Sequence, residues 1–338
     1  MLLGYLARRL ASASGLGLAA TLVVFLVAHS VPADPVLAML GDKAASDPQI
    51  VSMFRARWGL DKPLWQQYQL FLGGLAHGDL GESIATRRAV SRDIAQYAPA
   101  TVELATTAAL IAVSAGLLLG ALAAVFRDSW IDHVGRAASL VGTAAPTFWL
   151  AFLALALFYG GLQIAPSPGR LALTDLPPPA VTGMYTVDSL IAGDWHLFAQ
   201  SLAHLIMPAA VLAASTLGLI TRTMRASMLE ILSQEYVSVA RAKGLREILV
   251  IARHAVPNAL IPVVTLGGLA YAELLSGTVL TETIFAWPGL GRYTYQSATA
   301  LDFPAILGIT LVVAVVYLAI NLIVDMSYAF LDPRITAR

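Results

Sequence analysis

Six long stretches of this chain carry almost no charge, and that limits the fold more than any motif does. Leu10–Val31, Ala137–Leu162, Ala203–Thr221 and Phe303–Val324 hold no Asp, Glu, Lys or Arg. Pro99–Phe126 holds only Glu103, and Ala259–Thr281 only Glu273. A helix crossing a hydrocarbon core about 30 Å thick needs about 20 apolar residues, because each residue rises about 1.5 Å. The composition agrees: 58% of the 338 residues are hydrophobic and 12% charged, where about a quarter charged is usual for a soluble domain. The pattern predicts an all-α integral membrane protein with six transmembrane helices. The first stretch exceeds the roughly 7–15 residues of a secretory h-region, and Ala28-His29-Ser30 is a poor cleavage site, so it reads as a retained span.

Several chemistries drop out early. A formal net charge of zero argues against nucleic-acid partners. Without cysteine there are no disulfides, thiol nucleophiles or cysteine-ligated metals. His29, His77, His133, His196, His204 and His254 are scattered, with no HExxH spacing. No Gly-x-Ser-x-Gly elbow supports hydrolysis. No GxxxxGK[ST] phosphate loop occurs, so nucleotide hydrolysis by that mechanism is not expected of this chain.

Lys and Arg in short loops set orientation. Between Arg222 and Arg253 lie Arg222, Arg225, Arg241, Lys243, Arg246 and Arg253 against Glu230, Glu235 and Glu247; the ends add Arg8, Arg9, Arg334 and Arg338. Residues 163–202 hold only Arg170 against Asp175, Asp188 and Asp194, and the Trp287 region only Arg292 against Glu282 and Asp302. Pro32–Ala98 balances seven basic residues with seven acidic ones and is too long for the rule. Both termini are therefore expected on the cytoplasmic side. The organisation reads as residues 1–35 for the N-terminal tip and first span, 36–98 as an extracytoplasmic amphipathic segment and 99–331 as the transmembrane core. Within that core, 163–202 is an outer loop and 222–258 a cytoplasmic loop; 332–338 is a tail.

Pro48–Leu72, interrupted by Gly59 and Pro63, suggests two short amphipathic helices at the membrane surface, where Trp58 and Trp65 suit an interface. Gly78-Asp79-Leu80-Gly81 reads as a turn, and Pro166–Trp195, with Pro177-Pro178-Pro179, as an irregular cover. No internal repeat is evident.

The cytoplasmic loop is the richest segment. Met228, Leu229, Leu232, Tyr236, Val239 and Ala240 form an apolar stripe at helical spacing over Met228–Lys243. Arg241 and Lys243 sit in its last turn, favoured by the helix dipole, and Gly244 follows as a residue able to take positive φ. A second short helix over about Arg246–Ala255 then leads through Pro257 and Asn258 into span five. Two short helices around a glycine make a knob suited to a partner; the alternative is a charged loop that only sets topology.

Ala240-Arg241-Ala242-Lys243-Gly244, thirteen residues before Pro257, resembles the cytoplasmic coupling motif of ABC-importer permeases, in particular the first permease subunit of the dipeptide, oligopeptide and nickel group. The broad motif opens Glu-Ala-Ala; this chain has Ser238, Val239 and Ala240 there, so its acidic residue is absent. Tyr5-Leu6-Ala7-Arg8-Arg9-Leu10, Pro32-Ala33-Asp34-Pro35, Gly59-Leu60-Asp61-Lys62-Pro63-Leu64, Gly78–Gly81, Trp287-Pro288-Gly289-Leu290-Gly291-Arg292 and Asp332-Pro333-Arg334 also resemble that group, in order, along nearly the whole chain. The resemblance implies a type I ABC-importer architecture with a second permease subunit, two cytoplasmic ATPase subunits and an extracytoplasmic solute-binding protein, set in membrane lipid. It implies no cofactor in this chain, ATP and Mg being held by the ATPases, and a coupling loop carried by Glu235, Tyr236, Ser238, Ala240, Arg241, Ala242, Lys243, Gly244 and Pro257.

Carboxylates in or near spans are expensive and face protein or water. Glu273 and Glu103 are therefore candidate pathway residues, although Glu103 is near enough to the interface to reach headgroups. Asp325, ending span six, reads as interfacial. Phe148, Trp149, Phe152, Phe158 and Tyr159 read as packing or lipid-facing. Three function classes stand open: a peptide permease; a permease of the same architecture for a nickel chelate, glutathione or oligosaccharide; and a self-sufficient secondary transporter or intramembrane enzyme. The third should show an inverted repeat or broken helices with midplane ligands.

Overall fold

The computed structural model describes residues 2–30, 47–58 and 61–331. Pro32–Pro35, Gly59, Leu60, Asp332–Arg334 and the side chain of Asp325 lie outside the described residues. In chain order the helices are α1 (Leu2–Ser30), α2 (Pro48–Trp58), α3 (Leu64–Ala76), α4 (Val90–Val125), α5 (Trp130–Ala144), α6 (Thr147–Ala154, continued by a wider turn over Leu155–Gly161), α7 (Tyr185–Ile191) and α8 (Trp195–Leu232). They continue as α9 (Glu235–Ala242), α10 (Glu247–Val250, with a wider turn over Ile251–Ala255), α11 (Val256–Ser276), α12 (Val279–Ile284), α13 (Leu290–Thr299) and α14 (Phe303–Leu331). The only extended pairing among the described residues is an isolated bridge between Glu82 and Ala89. The all-helical expectation holds.

Four helical stretches are long and apolar enough to cross a membrane, and a fifth if the bent α5–α6 pair is one span. In α1 the apolar run covers Ser14–Val27. Two spans differ from their sequence reading. Ala137–Leu162 is not one straight helix: Ala145 and Pro146 are extended (ψ 130° and 135°), and the axis turns by 109° between α5 and α6. Proline disfavours helical geometry in the residue before it. Ala259–Thr281 likewise ends early, at Ser276, and the chain restarts as the short α12 after Gly277. Elsewhere the helices outrun the apolar windows, as α8 does at both ends.

The chain forms two compact units. In the first, Met1–Ala98 with Arg292–Ala319, α1 packs on α3: Phe25 lies 5.2 Å from the Tyr68 ring and 5.9 Å from Phe71, and Thr21 Oγ1 lies 2.8 Å from Tyr68 Oη. The expected pair of short helices is present as α2 and α3, and the Gly78–Gly81 turn is closed by Asp79 N–H donating to Gly74 O. Buried Asp93 accepts from Thr86 Oγ1 at 2.5 Å and Tyr293 Oη at 3.0 Å. Buried Asp302 accepts from Ser83 Oγ at 2.5 Å.

The second unit, Pro99–Gly291 with Ile320–Arg338, is built on α8. Ala100, Leu104, Ala105, Ala108 and Ala112 of α4 pack on Leu205, Ala209, Leu212 and Ala213 of α8, with Leu274 and Trp287 completing the cluster. Such small-residue seams suit lipid, where close backbone approach replaces hydrophobic drive. The same logic joins α5 to α8, where Ser139 Oγ donates to Gly218 O at 2.6 Å. At one end of these helices a buried carboxylate, Asp132, accepts a two-pronged bond from Arg225 (2.7 and 2.8 Å). Phe148, Trp149, Phe152, Phe158 and Tyr159 are exposed on this unit, which fits a lipid-facing reading.

Candidate functional site

The knob is made by two interruptions. The expected single helix over Met228–Lys243 is broken: α8 ends at Leu232, Ser233 N–H and Gln234 N–H fold back onto Glu230 O and Ile231 O, and Gln234 is extended (ψ 148°). Ser233 Oγ also caps Glu230 O at 2.7 Å. The break shifts the helical phase. Met228 belongs to the α8 core, Val237 and Ala240 turn inward in α9, and Tyr236 and Val239 face outward. Val237, Ala240 and Val250 then form a small core against Ile231 and Leu232.

The second interruption is Gly244. Its φ is +78°, and a Cβ there would meet no atom within 4 Å. The constraint is thus backbone conformation rather than space: left-handed geometry costs a non-glycine residue roughly 1–2 kcal/mol. Lys243 N–H and Gly244 N–H close the end of α9 on Val239 O and Arg241 O. This is the glycine turn expected from the sequence.

Arg241 and Glu247 meet across that turn, with Arg241 Nε donating at 3.1 Å and Nη2 at 2.7 Å. At the base of the knob Asn258 Nδ2 donates to Tyr236 Oη at 3.2 Å and to His254 O at 2.7 Å. Tyr236 therefore ties α9 to the start of α11, where Pro257 occupies the first turn. Glu235, Ser238, Ala242 and Lys243 are exposed, as are the apolar side chains of Val239, Leu245, Ile248 and Leu249. The structure thus brings the candidate loop residues into one compact element with an apolar, basic outer surface. The apolar stripe read from the sequence leaves out Val237, because it carries the α8 periodicity through the break.

The two candidate carboxylates stand apart from this element and from each other in character. Glu103 is buried and fully engaged: it accepts from Arg170 Nη2 at 2.6 Å and from Thr186 N–H and Oγ1 at 2.7 Å each. Arg170 also donates to Gly183 O and lies 3.5 Å above the Tyr185 ring. Glu103 so fastens residues 170–186 to α4. Glu273 is exposed near the end of α11 and makes no side-chain bond among the described residues. A third carboxylate matters more than its sequence position suggested. Glu282 is fully buried in α12 and accepts from Thr101 Oγ1 at 2.7 Å; that hydroxyl in turn accepts from Leu290 N–H at 2.7 Å. Trp287, also buried, donates Nε1–H to Ala100 O. The Trp287–Gly291 motif is therefore a knot anchored on the turn of α4 that follows Pro99.

Comparison with known proteins decides what carries this geometry. Residues 116–337, from α4 past the knob to the chain end, match the family described as binding-protein-dependent transport system inner membrane component. The chain belongs to that family. Residues 2–105 match its companion N-terminal family. Among relatives, the chain is 45% identical over 313 residues to the probable D,D-dipeptide transport system permease protein DdpB of Escherichia coli, covering 93% of this chain and 92% of that one. It is 41% identical to the di/tripeptide transport system permease protein DppB of Pseudomonas aeruginosa, and 39% to the dipeptide transport system permease protein DppB of Alkalihalophilus pseudofirmus. Each alignment covers 99% of both chains. As a binding-protein-dependent transport component, the chain is a multi-pass membrane protein whose role is transport rather than catalysis. The third function class, a self-sufficient transporter or enzyme, is set aside on that membership.

Proposed function

We propose that this chain is one permease subunit of an ATP-driven importer for peptides in a bacterial inner membrane, with both termini in the cytoplasm. The names of its relatives support peptides over a nickel chelate, glutathione or an oligosaccharide. Its partners would be a second permease subunit, two ATPase subunits holding ATP and Mg, and a solute-binding protein on the outer side. The observation that carries the reading is the knob: α9 and α10 are folded around their own core, joined by a glycine turn, and lead without slack into α11. A body built this way transmits displacement instead of absorbing it. Closure of the ATPases on ATP would move the knob, and α8 and α11 with it. Both are packed together through Met224, Met228, Ala255, Ala259 and Val263. Nucleotide state would thus bias a two-state membrane element.

Gly244→Val tests this. A β-branched residue is especially ill-suited to positive φ, so the turn must strain or straighten. The cost is too small to unfold the membrane helices. Insertion and pairing with the sister permease should stay near wild type, while ATPase retention on purification or substrate-stimulated hydrolysis falls at least severalfold, and transport with it. A Gly244→Val complex that keeps its ATPases and full transport would reduce the loop to a topology signal.

A further inference from the structure

Arg241 is a cation in the middle of the proposed docking element, where a direct contact with the partner would be the natural assignment. The geometry points elsewhere. Its guanidinium already spends two donors on both oxygens of Glu247, at 2.7 and 3.1 Å, across the turn that contains Gly244. An arginine fork paired this way fixes direction as well as distance. Apart from this bridge, α9 and α10 are held together by the small core of Val237, Ala240 and Val250. Among the described residues, Lys243 and Arg246 make no ion pair and remain cations open to a partner.

We propose that Arg241 and Glu247 form an internal strut that sets the angle between α9 and α10, so that Arg241 is a positioning residue and not a partner contact. The proposal rests on the coupling reading above. Exposed ion pairs contribute little to overall stability, and the side chains here are 41% and 54% exposed. The strut should therefore act on the knob's geometry and leave the fold of the chain alone.

The test uses the full importer complex with Arg241→Glu, Glu247→Arg and the exchanged pair carrying both. Two readouts are taken: hydrogen exchange of the amides from Gly244 to Val250, and substrate-stimulated ATP hydrolysis. Each single variant should exchange faster and hydrolyse about two- to fivefold more slowly, the span expected of an exposed pair, with the KM for ATP unchanged. The exchanged pair should return to within about twofold of wild type in both, because a swapped bridge restores the same constraint. Recovery of exchange in the pair supports the strut even if hydrolysis never changed; unchanged hydrolysis in loosened variants would count against the coupling reading instead. Exchange that is unaltered in either single variant, or a pair that stays as impaired as Arg241→Glu while Glu247→Arg behaves as wild type, would overturn the strut and return Arg241 to the partner interface.

Discussion

Gly289→Ala should accumulate poorly and unfold several degrees below wild type. A Cβ on Gly289 falls inside the van der Waals shell of both carboxylate oxygens of Glu282. Glu282 is fully buried and held by Thr101 Oγ1 at 2.7 Å, so the carboxylate has nowhere to retreat. Overpacking costs about 1–3 kcal/mol, and loss of the Thr101 hydrogen bond adds about 0.5–1.5 kcal/mol. Because Thr101 also receives Leu290 N–H, the disturbance reaches the whole Trp287–Gly291 knot. Thermal unfolding of the purified complex reads the loss. Adding Glu282→Ala removes the clash, so the double variant should be less destabilised than the sum of its parts. A Gly289→Ala protein that melts like wild type would mean the knot is not packed against Glu282.

A comparable loss is expected when Arg170 is cut to Ala. The Arg170 and Glu103 side chains are only 8% and 3% exposed and meet at 2.6 Å. Removing one partner of a buried pair costs about 3–5 kcal/mol, because the other charge stays buried and uncompensated. Arg170 also stacks on Tyr185 and bonds Gly183 O, so residues 163–184 should become the first site of protease cleavage in Arg170→Ala. Arg170→Leu combined with Glu103→Gln leaves no orphaned charge and should be less sensitive to protease than Arg170→Ala alone. Equal sensitivity of Arg170→Ala and wild type would show that this pair does not hold the segment. The same geometry gives Glu103 a fastening role that its place in a span did not reveal.

What the sequence disclosed depends on the range of the interactions concerned. The apolar runs are local and period-bound, so the helical membrane class was readable at once, and so was the turn at Gly244, where a glycine succeeds basic residues at a helix end. The break at Ser233-Gln234 was not readable, because neither residue is a strong breaker and the apolar spacing continues smoothly through it. Pro146 did carry a signal, but a proline within an uncharged run is also compatible with a kinked continuous span. Pairings were hidden altogether. Arg241 reaches Glu247 six residues away through a left-handed turn, a spacing that no helical face provides. Glu103 and Arg170 lie 67 residues apart, and Thr101 and Glu282 lie 181 apart. Such partners exist only once the helices have packed.

In the proposed importer, the surface of α9 and α10 meets an ATPase in the cytoplasm. Ile248 is 63% exposed on that surface and takes no part in the knob's core. A photoreactive amino acid placed at Ile248, in the complete importer in its native membrane, should on illumination form one dominant cross-link, to an ATPase subunit, with a yield that changes when ATP is added. A cross-link to lipid or to the solute-binding protein, with no ATPase product under any nucleotide condition, would contradict the account.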